Sequence, residues 1–238
     1  MKIKNPFKDL TKNEFILWIG SIAVIVCSFV LLSSNNYLSL VASLIGVSAL
    51  IFVAKGYVLG QILTVIFAVF YGIISFYFNY HGEMITYLGM TTPIAILSVI
   101  SWMKNPYGKT AEVTVSHMSK TQIVIMLGLS VIVTAIFYFI LKALGTTNLV
   151  LSTVSITTSF LASYLTFMRS SYYAIAYMAN DLVLIALWIL ATMQDKSYLP
   201  MIICFAMFLI NDCYGFMNWQ RMKHRQGNGV RSDILICE

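Results

Sequence analysis

Apolar residues run in eight long stretches with little between them. They cover about residues 15–32, 38–54, 58–78, 84–103, 121–144, 148–168, 172–193 and 199–221. A helix of roughly 20 apolar residues crosses about 30 Å of hydrocarbon, so each stretch predicts a transmembrane span. No connecting segment is long enough to hold a soluble catalytic domain. The polar positions also repeat. Asn5-Pro6-Phe7 introduces the first four spans, and Asn105-Pro106-Tyr107 introduces the second four. Each set closes on a Trp followed by basic residues, and Tyr71 to Trp102 covers the same 31 positions as Trp188 to Trp219. A unit with an even number of spans repeats in the same orientation, so the copies are parallel.

The best matches lie in the last three spans of each unit. Lys55 pairs with Arg169, Met84-Ile85 with Met201-Ile202, and Trp102-Met103-Lys104 with Trp219-Gln220-Arg221. The expected fold is an all-α integral membrane protein of eight transmembrane helices. Parallel three-helix repeats form a 3+1+3 core, with an extra N-terminal helix. The expected divisions are 1–37 (N-terminus and extra span), 38–104 (first bundle), 105–147 (loop and connecting span), 148–221 (second bundle) and 222–238 (a mobile basic tail).

Charge fixes the orientation. The chain has 238 residues, 59% hydrophobic and 10% charged, with a net charge of +6. With the N-terminus inside, 13 Lys and Arg fall on inner segments, and only Lys142 and Lys196 fall outside. Both termini are therefore expected in the cytoplasm, with an external loop at His81, in a bacterial inner membrane. The basic excess needs no nucleic-acid partner, because anionic headgroups account for it. Cys27, Cys204, Cys213 and Cys237 have no CxxC spacing and read as free thiols. Leu31-Leu32-Ser33-Ser34-Asn35-Asn36 lacks a small-residue cleavage site, so the first span reads as retained. No metal spacing, phosphate loop or nucleophile elbow occurs, so no cofactor, metal or enzyme activity is expected.

Ionisable side chains at mid-membrane are costly and point to function. Two qualify on this reading: Asp181 and Asp212, each after an asparagine (Asn180, Asn211). Tyr177, Asp181, Leu184 and Trp188 share a helical stripe that Tyr173 extends by a turn. Asn211, Gly215 and Asn218 form a second stripe with Asp212 beside it. The first half offers Tyr71, Gln61, Thr64, Thr91 and Thr92, with Pro93 expected to kink the fourth span. Rings, amides and carboxylates at one depth suit a flat, polar, cation-tolerant solute. The alternative is that these groups only bind one another between helices. Trp102 and Trp219 read as interfacial anchors rather than ligand contacts.

Several strings resemble the PnuC family of vitamin and nucleoside transporters over roughly residues 40–221. They are Val53-Ala54-Lys55-Gly56, Tyr71-Gly72, His81-Gly82-Glu83-Met84 before Pro93, Trp102, and Asn211-Asp212-Cys213-Tyr214-Gly215-Phe216-Met217-Asn218-Trp219. The resemblance implies a SWEET-like 3+1+3 fold, a homotrimer, and facilitated diffusion of nicotinamide riboside. A cytosolic kinase then traps the solute, feeding NAD biosynthesis. The chain departs from the family's nicotinamide riboside pattern at Ala174, Asp181, Tyr87 and Ala95, where the family carries one Trp and three amides. A deoxyribonucleoside or thiamine is the alternative cargo, and a non-transporting membrane sensor is the alternative class.

Overall fold

A computed structural model describes residues 6–32, 37–77 and 81–236. It contains eight helical spans, each long and apolar enough to cross a membrane. We number the α-helices in chain order: α1 Lys12–Leu31, α2 Tyr37–Ala54, α3 Val58–Tyr77, α4 His81–Ile85, α5 Thr92–Lys104, α6 Lys120–Ala143, α7 Leu149–Phe167, α8 Tyr173–Gln194 and α9 Leu199–Ile236. The fourth span joins α4 to α5 through a π-helical turn, Thr86–Thr91. A short 3-10 turn, Lys196–Tyr198, leads into α9. The first and fifth spans begin with capping boxes. Thr11 pairs reciprocally with Glu14, and Ser119 with Gln122, which satisfies orphan N–H groups at each start.

The two bundles are built alike at one end. α2 and α3 meet in a corner at Gly56, and α7 and α8 meet in a corner at Arg169. Both residues take positive φ, 69° and 55°. Gly56 N–H bonds Val53 O, and Arg169 N–H bonds Thr166 O. The next rungs also match, Tyr57 N–H to Phe52 O and Ser170 N–H to Leu165 O. Arg169 therefore matches Gly56, not Lys55; the sequence pairing by charge was one residue out. Gly56 tolerates this backbone freely, and its absent side chain leaves room for Met222.

The tryptophans then cross-link the halves. Trp102 Nε1 donates to Thr166 O at 2.9 Å, and Trp219 Nε1 donates to Val53 O at 2.9 Å. Each bundle's third helix thus bonds the first helix of the other bundle, at the corner. Both indoles are buried and pack 5.5 Å apart. This corrects the expectation of interfacial anchoring: the ring N–H groups find carbonyls inside the protein, where an anchor would face headgroups.

The segment between the halves clips both corners. Val113 N–H bonds Gly56 O, and Ser116 N–H bonds Arg169 O. Gln226 holds this segment by accepting from Val115 N–H and donating to Val113 O. Arg225 pairs with Glu112. The tail after Trp219 is thus not a mobile extension. It continues α9 as helix to Ile236, because Met222 and Gln226 have buried partners to hold it there.

α1 lies outside the repeat but bridges both halves, packing on α2 and α9. Lys55 at the end of α2 pairs with Glu14 at 2.9 Å, and Tyr214 of α9 donates to the same carboxylate at 2.7 Å. Trp18 Nε1 donates to Ser48 Oγ. α6 packs mainly on α7 and presents apolar residues such as Val124, Val131 and Phe139 outward. Cys27, Cys204 and Cys213 are free thiols, while Cys237 lies outside the described residues.

Candidate substrate site

Two connected cavities run down between the bundles. The inner one, about 80 Å³, lies at the centre of the spans. Gln61 and Thr64 come from α3, and Thr91 and Tyr87 from the π turn. Tyr177, Asn180 and Asp181 come from α8, and Asp212 from α9. The outer one, about 570 Å³, is within the range of small-molecule sites. It reaches the loop Gly145–Asn148 and the turn at Asp195, at the end opposite the corners. Tyr87, Ser159, Leu184 and Phe205 line both, so the path is continuous. At the corner end it stops against Trp102, Trp219 and Tyr173, packed with Val53, Val113 and Met222.

The π turn sets the first half's contribution. Pro93 has no N–H to continue an α-helical ladder, and the disruption lies just before it. Thr92 donates both its N–H and its hydroxyl to Tyr87 O, the latter at 2.8 Å. The extra residue turns Tyr87 and Thr91 toward the inner cavity. Tyr87 lies 4.6 Å from the Tyr71 ring and 6.0 Å from Phe67, and Phe67 meets Phe208 at 6.3 Å. Gly46 makes room for this wall, since a Cβ there would lie 2.6 Å from Phe208.

The second half supplies acids and an amide. Asp181 and Asp212 are 3% and 2% exposed, and their carboxylates face each other across α8 and α9. Asp181 Oδ2 has no hydrogen-bond partner among the described residues. Asn180 is better tied, its Oδ1 accepting from Thr158 at 2.9 Å and Ser159 at 3.0 Å. This leaves the Asn180 amide N–H₂ as its free polar face toward the cavity. The Tyr177 hydroxyl sits beside Ser163 and Thr166, which orients its ring at the cavity wall.

Of the residues singled out from the sequence, Gln61, Thr91, Tyr177, Asn180, Asp181 and Asp212 come together in the inner cavity. Tyr71 and Trp188 line the outer one. Tyr173, Asn211 and Gly215 lie elsewhere. Tyr173 is buried against Trp219 with ring centroids 4.9 Å apart. Its hydroxyl occupies the space a Gly215 side chain would need, 2.8 Å from the ideal Cβ. Asn211 donates to Ser21 of α1 at 2.9 Å. Asn218 donates to Ala54 O, also away from the path.

The string Asn211, Tyr214, Gly215, Asn218, Trp219 is thus joinery: each member meets α1, α2 or Tyr173. Asp212, within it, faces the path. Sequence reasoning passed over the aromatic wall and Glu83. Glu83 is a third carboxylate in the spans, lining the outer cavity beside the Tyr71 and Ser75 hydroxyls. Its position inside the His81-Gly82-Glu83-Met84 string was the available signal.

The profile of the nicotinamide mononucleotide transporter family matches residues 36–221. This chain belongs to that family. Every residue of the inner cavity lies inside the matched region. The nicotinamide riboside transporter PnuC of Neisseria mucosa is 26% identical over 196 residues, covering 80% of this chain and 74% of that protein. The Haemophilus influenzae protein of the same name is 20% identical over 227 residues, covering 94% and 97%. Among solved structures, a crystal structure of the vitamin B3 transporter PnuC superposes with a TM-score of 0.78. It is 25% identical and covers 91% of this chain and 94% of that one. The family is one of transporters, not enzymes, and the eight-span all-α fold agrees with it.

Proposed function

We propose that this protein mediates facilitated diffusion of nicotinamide riboside, or a closely related heteroaromatic riboside, across a bacterial inner membrane. The family match over the whole cavity carries the reading. The cavity's chemistry supports it. Aromatic faces at Tyr177, Tyr87, Phe67 and Phe208 suit a flat ring, while Asn180, Gln61 and the carboxylates suit a carboxamide and hydroxyls. With both termini cytoplasmic, as the basic residues favour, the outer cavity opens to the outside and the tryptophan layer closes the inside. A cytosolic kinase that phosphorylates the solute would make uptake directional. The homotrimer implied by the resemblance belongs to the same proposal, one path per copy. Thiamine or a deoxyribonucleoside is the second reading. It is favoured by Ala174, Tyr87, Ala95 and Asp181, where side-chain chemistry departs from the nicotinamide riboside pattern.

Proteoliposomes test the proposal. Labelled nicotinamide riboside should equilibrate across the bilayer and saturate, and an imposed pH gradient should not drive accumulation. Accumulation that disappears in Asp181→Asn would replace facilitation with proton coupling. Saturable binding without flux would make the protein a sensor.

A further inference from the structure

The chain is basic, but its path is acidic. Fifteen Lys and Arg residues outnumber nine Asp and Glu. Asp195 and Glu83 line the outer cavity, and Asp181 and Asp212 line the inner one. Among the described residues no Lys, Arg or His lines either cavity. Four of the nine acids and none of the fifteen bases therefore face the route. The acids are also spaced along it, at the mouth, in the vestibule and at the centre.

Asp195 lies outside the spans. Hydrogen bonds from the Ser197 N–H and hydroxyl hold its carboxyl below the ordinary range, so the mouth keeps a negative charge. At the centre, the titratable neighbours of the acid pair are Tyr87, Tyr173, Tyr177, Cys204 and Cys213, none of which is a cation. α7, packed on the other side of α8, contributes Ser159 and Ser163. A carboxylate pair at this depth with no counter-charge is costly. Asp181 Oδ2, buried, unpartnered and facing the cavity, is the clearest sign that something outside the protein completes the pair.

We infer that the pathway selects solutes by positive charge, with Asp181 and Asp212 acting as the counter-ion of a heteroaromatic cation held against the cavity's rings. Acids at the mouth raise the local concentration of cations. At the centre the pair supplies charge while Tyr177 and Phe208 supply π faces, which also favour a cation. Charge then distinguishes solutes of one shape. The inference rests on the reading that the cavity carries the transported solute.

Nicotinamide riboside has a fixed ring charge, and its 1,4-dihydro form is neutral and nearly the same size. Their affinities for the purified full-length protein separate charge from shape. Thiamine, another ring cation, and neutral deoxynucleosides complete the panel. The wild type should bind nicotinamide riboside about tenfold or more tightly than the dihydro form. In Asp181→Asn/Asp212→Asn the ratio should fall toward one. Equal affinities in the wild type would overturn charge selection and leave the transport reading standing. A wild type that ignores both forms but binds thiamine would overturn the nicotinamide riboside reading and keep charge selection. Preference for the neutral deoxynucleosides, or binding of none of the panel, would overturn both. An unchanged ratio in a folded double variant would remove the assignment to this pair.

Discussion

Tyr177 and Asp181 lie one helical turn apart on α8 and both face the inner cavity. One offers a ring face and the other an unpartnered oxygen. If the ring stacks on the solute, Tyr177→Ala should weaken nicotinamide riboside binding by about 1–3 kcal/mol, by analogy with base–aromatic stacking. Tyr177→Phe should keep most of the affinity, since its hydroxyl is turned toward Ser163 and Thr166. Calorimetric titration of both variants decides the matter, and equal losses would assign the effect to the hydroxyl. At this scale the α8 stripe was legible, because every fourth residue of a helix shares a face. Asn211 was not. Its partner Ser21 sits on α1, which lies outside the repeat, so no periodicity within α9 reveals which way the amide turns. The aromatic wall was hidden for another reason: Phe67 and Phe208 are ordinary apolar residues in apolar spans until Gly46 and the π turn bring them together.

Helix pairs rest on a few close approaches. Gly60 opens α3 directly against α2, where a Cβ would lie 2.3 Å from Val53 N and 2.7 Å from Phe52 C. Backbone cannot yield as a side-chain tip can, so Gly60→Ala should cost about 1–3 kcal/mol or more. Gly20 on α1 has open space around it, and Gly20→Ala should be neutral or mildly stabilising. Thermal unfolding in detergent compares the two, and equal melting temperatures would refute the close α2–α3 contact. The reciprocal indole bonds give a second test. Trp102→Phe and Trp219→Phe should each cost about 1 kcal/mol for the lost hydrogen bond, and by similar amounts. A loss confined to one of them would break the symmetry described here. The spans themselves were legible from apolar length alone. The tryptophans were misread because a Trp before basic residues looks the same whether it faces headgroups or a carbonyl. The helical tail was misread because its Gly-Asn-Gly composition suggests freedom, while Gln226 holds the segment just before it.

Across the whole molecule, the same construction appears twice and closes one end. Matching corners, crossed tryptophans and the clipped segment 105–118 gather at that end, and the wide cavity opens at the other. The parallel repeat was legible as recurring motifs. The closed and open ends were not, because they depend on contacts between halves some 110 residues apart. Orientation has a direct check: in intact cells a thiol reagent that cannot cross the membrane should label Thr147→Cys but not Lys109→Cys, and the reverse would invert the protein.

The most direct measurement follows from the path itself. Ser159 lines both cavities, next to Asn180 and within the route any solute must take. In a background with the native cysteines replaced by serine, Ser159→Cys should react with the same reagent from outside. Nicotinamide riboside should slow that reaction in a saturable way. Labelling that the solute leaves unchanged, or that proceeds only from the cytoplasmic side, would contradict a substrate path through this cavity.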